Sequence, residues 1–288
     1  MGMWTRSASR MLLSVIVVSV ALMGVSGCGQ IEKRASTAAA NVSILPYPFL
    51  IPGLDRQRIV RLYLPPDYDN ETQSYPVIYM HDGQNLFDNA TAYADEWKVD
   101  ESLNSLAKKS GREFIVVGID NGGDFRMNEL SPWPNERFGD AQGKNYMQLI
   151  VEVVKPYIDS NYRTLSDAQN TAIMGSAMGG LMSHYAIHHY PDVFGKAGIF
   201  SPSYWYSHDV FSDTKLHRAN NKARLFMLYG SGEGDGMISD ADKMQRLLKQ
   251  QGHPRNNMKF VSVPQGQHNE LLWGQSFTEA IKWLFEIH

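Results

Sequence analysis

A single cysteine among 288 residues excludes an internal disulfide framework, because one thiol has no partner within the chain. Excess charge of either sign is also missing: 27 Lys+Arg stand against 30 Asp+Glu, a net charge of -3. That balance argues against a nucleic-acid binder, which needs a basic stripe. No internal repeat and no second linker interrupts the chain, and its 13 prolines and 24 glycines are near average. What is present is apolar material. At 43% hydrophobic and 20% charged residues the chain can build a sizeable core, which excludes a disordered protein. The length allows one large domain or two small ones.

The N-terminus reads as an address. Arg6 and Arg10 precede the apolar run Met11–Met23, and small residues follow. A basic region, a short apolar region and small residues make a secretory signal over residues 1–27. From Met11 to Val25 the run is about 15 residues, short of the roughly 20 that span a bilayer. Val25-Ser26-Gly27-Cys28 resembles a bacterial lipobox, where cleavage precedes a cysteine that is then lipidated. Multiple acyl chains on Cys28 suffice for stable anchoring. Gly29 resembles outer-membrane sorting, so the expected location is the bacterial envelope, lipid-anchored and facing the periplasm. Residues 28–44, polar and small around Ala35–Ala40, are expected to be a flexible tether. The folded domain is expected over 45–288.

Seven short runs rich in β-branched and aromatic residues read as strands: 58–64, 77–81, 114–119, 171–175, 197–201, 223–230 and 258–263. Helical spacing fills 97–109, 146–158, 178–190, 241–251 and 270–285. Alternating strands and helices predict an α/β fold with a mostly parallel sheet covered on both faces. In such sheets function collects beyond the carboxyl ends of the strands.

One of those ends carries Gly175-Ser176-Ala177-Met178-Gly179-Gly180. Strand, sharp turn and helix with glycines at 175 and 179 is the setting of the nucleophile elbow G-x-S-x-G. The nucleophile position, 177, holds alanine. Ser176 lies one residue early, and its side chain should point elsewhere. The backbone N–H groups that open the following helix can help to bind an oxyanion.

With Arg61–Tyr68, Tyr75–Asp88, Val117–Gly122, Phe200–Trp205 and the C-terminal histidine loop added, the chain resembles the esterase D-type "putative esterase" family of α/β-hydrolases. Its relatives include enterochelin esterases and the feruloyl and acetyl-xylan esterases of carbohydrate esterase family 1. The resemblance implies a single α/β-hydrolase domain, hydrolysis of carboxylic esters through an acyl-enzyme, and no cofactor or metal. It also implies an acid after Gly230, either Glu233 or, as runner-up, Asp235. The base would be His268, in the last strand-to-helix loop. Oxyanion donors would be the N–H groups of Met178 and of Gly83 or Gln84. Arg126, Glu129, Trp133, Tyr204, Trp205 and Trp273 are placed to line a substrate pocket, although ordinary packing accounts equally well for any one of them. The substrate class stays open among acylated sugars, siderophore esters and lipid-like esters.

Family members carry serine where this chain has Ala177. Without that oxygen the chain is expected to be nearly inert in acyl transfer. Three readings follow: an engineered knockout of an esterase, a natural non-catalytic binding or scaffold lipoprotein, or other chemistry such as water activated by His268. His184 and His188 share a helix face but lack a zinc-site pattern, and are read as packed residues. Asp120–Asp124 lacks the spacing of a calcium loop and is read as a rim of the cleft.

Overall fold

The computed structural model describes Met1 and residues 34–288. The expected signal segment and the expected lipidation at Cys28 lie outside the described residues. Among the described residues no helix is long and apolar enough to cross a membrane.

Among the described residues ten strands appear in chain order: β1 (Val42–Ile44), β2 (Phe49–Leu50), β3 (Gln57–Arg58), β4 (Val60–Tyr63), β5 (Val77–His81), β6 (Ile115–Ile119), β7 (Thr171–Ser176), β8 (Lys196–Phe200), β9 (Arg224–Gly230) and β10 (Met258–Val263). Eight of them form one sheet in the order β1-β4-β6-β5-β7-β8-β9-β10, while β2 and β3 pair separately. The strands β6-β5-β7-β8-β9-β10 run parallel, and β1 and β4 add an antiparallel edge. All seven predicted strands are present.

The helices are α1 (Val99–Ser110), α2 (Arg126–Glu129), α3 (Gly143–Gln148), α4 (Lys155–Asn161), α5 (Met178–His189), α6 (Asp209–Leu216), α7 (Asp235–Gln250) and α8 (Glu270–Leu284). Between α3 and α4 the helix widens into a π-helical stretch over Leu149–Val154. Pro156, in the first turn of α4, has no N–H to give to that stretch. The predicted helix over 146–158 is this composite.

Strand periodicity divides the core into two faces. Val77, Tyr79, Ile173, Leu225 and Met227 point to the side packed by α3 to α7. Ile78, Met80, Ala172, Met174, Phe226 and Leu228 point to the side packed by α1 and α8. Both faces are buried, which is why these strands read as continuous apolar runs. α8 shows the matching helical spacing, burying Leu272, Trp273, Phe277, Ala280, Ile281 and Leu284. α5 lies centrally and is buried from Met178 to His188.

The expected tether is corrected from residue 34 onward. Arg34 donates to the Ala94 carbonyl at 2.7 Å, Thr37 to Glu96 at 2.6 Å, and the Ala39 N–H to Asp100 at 2.7 Å. Val42–Ile44 then joins the sheet edge beside β4. Small polar residues look like a linker by composition, yet here their donors are bonded to carboxylates and carbonyls of the domain. β2, α2 and α6 were not foreseen either, and α7 starts six residues before the predicted 241.

Candidate active site

The elbow forms where β7 meets α5. Ala177 adopts φ 54 and ψ -115, a left-handed conformation that L-residues rarely hold. Close packing enforces it. A side chain on Gly175 would stand 2.9 Å from the backbone of Gly179 and 2.9 Å from the His81 ring. The Ala177 N–H donates to the Phe200 carbonyl at 3.0 Å, and its own carbonyl accepts from Ser203 at 3.0 Å. Ser176 ends β7 and is buried.

Asp82, Ala177, Ser201 and Gln265 all have positive φ without being glycine. They follow β5, β7, β8 and β10, so the strained backbone gathers at the carboxyl ends of the sheet.

The acid and the base meet there. His268 Nδ1 donates to Glu233 Oε2 at 2.6 Å. Glu233 Oε1 accepts from Ser201 Oγ at 2.7 Å and from the Gly230 N–H at 2.6 Å. Burial acts to raise the Glu233 carboxyl, but the bonds from His268, Gly230 and Ser201 outweigh it and hold it below its ordinary range. An ionised Glu233 fixes the proton on Nδ1, leaving Nε2 of His268 with a free lone pair. The Glu233 side chain is 1% exposed and that of His268 is 42% exposed, so the pair joins a buried anion to an accessible imidazole. Asp235 instead opens α7 and is exposed. The chain folds this way because β9 ends at Gly230, where a side chain would strike the Gly266 carbonyl and push the His268 loop away.

Trp273 is corrected. Its side chain is buried rather than lining a pocket. Its Nε1 donates to Ser201 Oγ at 2.8 Å, and its ring meets the His268 ring edge-on at 5.1 Å. It braces the acid–base pair from below.

Gly83–Asn85 form a 3-10 turn after β5. The N–H groups of Gly83 and Gln84 open that turn and that of Met178 opens α5, so none has a partner within its own helix. Arg126, its side chain 25% exposed, braces Asp82. Its Nε and Nη2 grip both oxygens of Asp82, at 2.7 and 2.9 Å, and Asn121 Nδ2 adds a third bond at 2.6 Å. Burial would raise the Asp82 carboxyl, but Arg126 and Asn121 outweigh it and hold it low. Glu129, also corrected, is buried and bonds Arg56 and Arg58. Trp133 packs edge-on against Tyr185 of α5 at 5.7 Å, and Tyr204 is fully buried. Trp205 is 57% exposed, two residues beyond Ser203, which is itself bonded to Ala177. Of the expected pocket aromatics it keeps an open face beside the elbow.

Three functional neighbours escaped the sequence reading. Ser201 lay within a matching segment, but nothing in its neighbours signals a bond to Glu233. His81 is buried under the elbow, with Nδ1 2.8 Å from the Tyr146 hydroxyl and burial pushing it down to about 4. Glu270, half-buried at the start of α8, is raised by burial and by the charges of Asp82 and Asp95.

Comparison with known proteins agrees with this geometry. A model of the family described as "Putative esterase" matches residues 51–284. A Bacillus subtilis protein described as "Uncharacterized protein YbbA" is 29% identical over 241 residues, covering 78% of this chain and 91% of that protein. The Bacillus cereus BES protein superposes with a TM-score of 0.69 at 20% identity, over 87% of this chain and 97% of its own. The Shigella flexneri enterobactin esterase FES, solved in the presence of enterobactin, superposes with a TM-score of 0.69 at 19% identity, over 87% of this chain and 60% of its own. With its elbow, its sheet order and a match running through nearly the whole domain, the chain belongs to the "Putative esterase" family of α/β-hydrolases.

Proposed function

We propose that the chain carries a site for carboxylic esters whose acyl-transfer step is silenced at residue 177. The observation that carries this reading is the 2.6 Å bond between His268 and Glu233, kept beside an elbow with positive φ. In a serine-bearing form the hydroxyl at 177 attacks the ester carbonyl while His268 Nε2 takes its proton. Glu233 stabilises the imidazolium, and the N–H groups of Met178 and the Gly83–Gln84 turn hold the oxyanion. The alcohol leaves with the proton returned by His268. Water, deprotonated by the same imidazole, then cleaves the acyl-enzyme.

With a methyl group at 177 no acyl-enzyme forms. The donors and the base remain, so the chain binds an ester and turns it over slowly at best. The exposed face of Trp205 supports an ester with an apolar or aromatic part.

Hydrolysis of p-nitrophenyl acetate by the chain beside Ala177→Ser tests the proposal. The serine variant is expected to gain on the order of 10³-fold or more in kcat/KM. A folded Ala177→Ser protein no faster than the chain as it stands would overturn it.

A further inference from the structure

Away from the elbow, three metal-ligating side chains converge. His189 ends α5, about 17 Å along that helix from Met178 at 1.5 Å per residue. Asp213 lies on α6 and His217 caps it, four residues on. His189 Nε2 is 2.8 Å from Asp213 Oδ2, and His217 Nδ1 is 3.1 Å from Asp213 Oδ1. One donor atom from each residue lies within 4.8 Å of the others. We propose that His189, Asp213 and His217 bind one divalent transition-metal ion of the zinc class.

The donor set fits. Two imidazoles and one carboxylate are the ligands of an open zinc site, with a fourth position left for water. Zinc bonds of about 2.0–2.2 Å at tetrahedral angles need donor atoms roughly 3.3 Å apart; the two histidines meet different oxygens of Asp213, so the carboxylate must turn one oxygen toward both rings, or ligate through both, to close donors that already lie within 4.8 Å. The His217 side chain is 47% exposed, which gives the ion a way in from solvent.

The rings are held in place before any ion arrives. Tyr185 stacks on His189 at 4.0 Å, and the His189 and His217 rings lie 4.2 Å apart. His188 Nδ1 donates to the His217 carbonyl at 2.7 Å, tying the end of α6 to α5. His184 is engaged elsewhere, with Thr214 at 2.8 Å and Tyr204 at 3.0 Å. It supports the helix face and does not compete for the ion. The rival explanation is a hydrogen-bonded His–Asp–His cluster with a proton on each facing nitrogen. Metal binding requires both protons to move to the outer nitrogens or leave.

The full untagged chain, stripped with a chelator, separates the two. Calorimetric titration with Zn²⁺ is expected to give one ion per chain. Titration with Co²⁺ is expected to give a visible spectrum of nitrogen and oxygen ligation. His217→Ala, a half-exposed position that leaves the fold intact, should weaken binding at least about tenfold. Asp213→Asn should do the same. The exposed His208, placed outside the cluster, serves as control, and His208→Ala should bind as the parent does. Unchanged binding in both ligand variants overturns the proposal. So does the absence of any binding at micromolar Zn²⁺. A thiolate charge-transfer band, which would assign the ion to Cys28, overturns it as well. None of these readouts depends on the ester-binding reading.

Discussion

Ala177 holds a backbone conformation of the kind that costs about 1–3 kcal/mol, and a methyl group draws no catalytic return from it. Around it, Glu233 accepts three bonds, from His268, Ser201 and Gly230, and Ser201 is steadied in turn by Trp273. This chain of contacts ranks the residues once Ala177→Ser restores turnover. In that background Glu233→Gln should lower kcat about 10⁴-fold, by losing the anion that orients and stabilises the imidazole. Trp273→Phe keeps the ring and removes only the N–H. It should lower kcat about tenfold with KM unchanged, because Ser201 still reaches Glu233. Steady-state kinetics of the two double variants tests the order, and equal losses would remove Trp273 from the relay. At this scale the sequence carried much of the site. A strand-ending glycine followed by an acid, and a histidine after the last strand, are local signals. The bonds of Arg126 to Asp82 and of Trp273 to Ser201 were not legible, because each partner lies far along the chain and no spacing rule reports it.

Elements were legible where periodicity was long enough to read. The parallel strands are five to seven residues rich in β-branched and aromatic side chains, and α8 repeats its apolar face over 15 residues. β1 is three residues long and follows a run of alanines, so its pairing with β4 is set by the sheet edge rather than by its own sequence. The arm over residues 34–44 protects that edge and supplies a donor to Asp100, whose carboxyl burial pushes up to about 7. A chain beginning at residue 45 should therefore expose an unpaired strand edge and self-associate. It should also melt roughly 5 °C or more below a chain beginning at residue 34, the loss expected from several part-buried hydrogen bonds and the strand pairing of β1. Thermal melts and size-exclusion chromatography of the two forms test this; equal melting temperatures and two monomers would show the arm to be dispensable.

For the molecule as a whole, acidity is the informative variable. His81 is buried between Tyr146, Asp82 and the elbow. Burial drives it down from 6.5 to about 4, with Asp82 opposing and Arg126 adding to the shift. A histidine held neutral in the fold takes up its proton only on unfolding. Between pH 6.5 and 4 the unfolded chain therefore binds more protons, and stability falls as pH falls through that window, then levels off below it. The contribution is about 3 kcal/mol, the free-energy equivalent of the fall from 6.5 to about 4. Urea midpoints at pH 7 and pH 4.5 should differ accordingly, and His81→Asn should flatten the difference. An unchanged slope in that variant would assign the acid sensitivity to other groups.

The positive φ retained at residue 177 bears on the history of the gene. Every alanine codon lies a single nucleotide from a serine codon, and no other part of the backbone would need to rearrange for the hydroxyl to find its place. On the proposed reading, a lineage bearing this chain stands one point mutation from an acyl-transfer nucleophile, so selection could cross between binder and catalyst in either direction without passing through an unfolded intermediate.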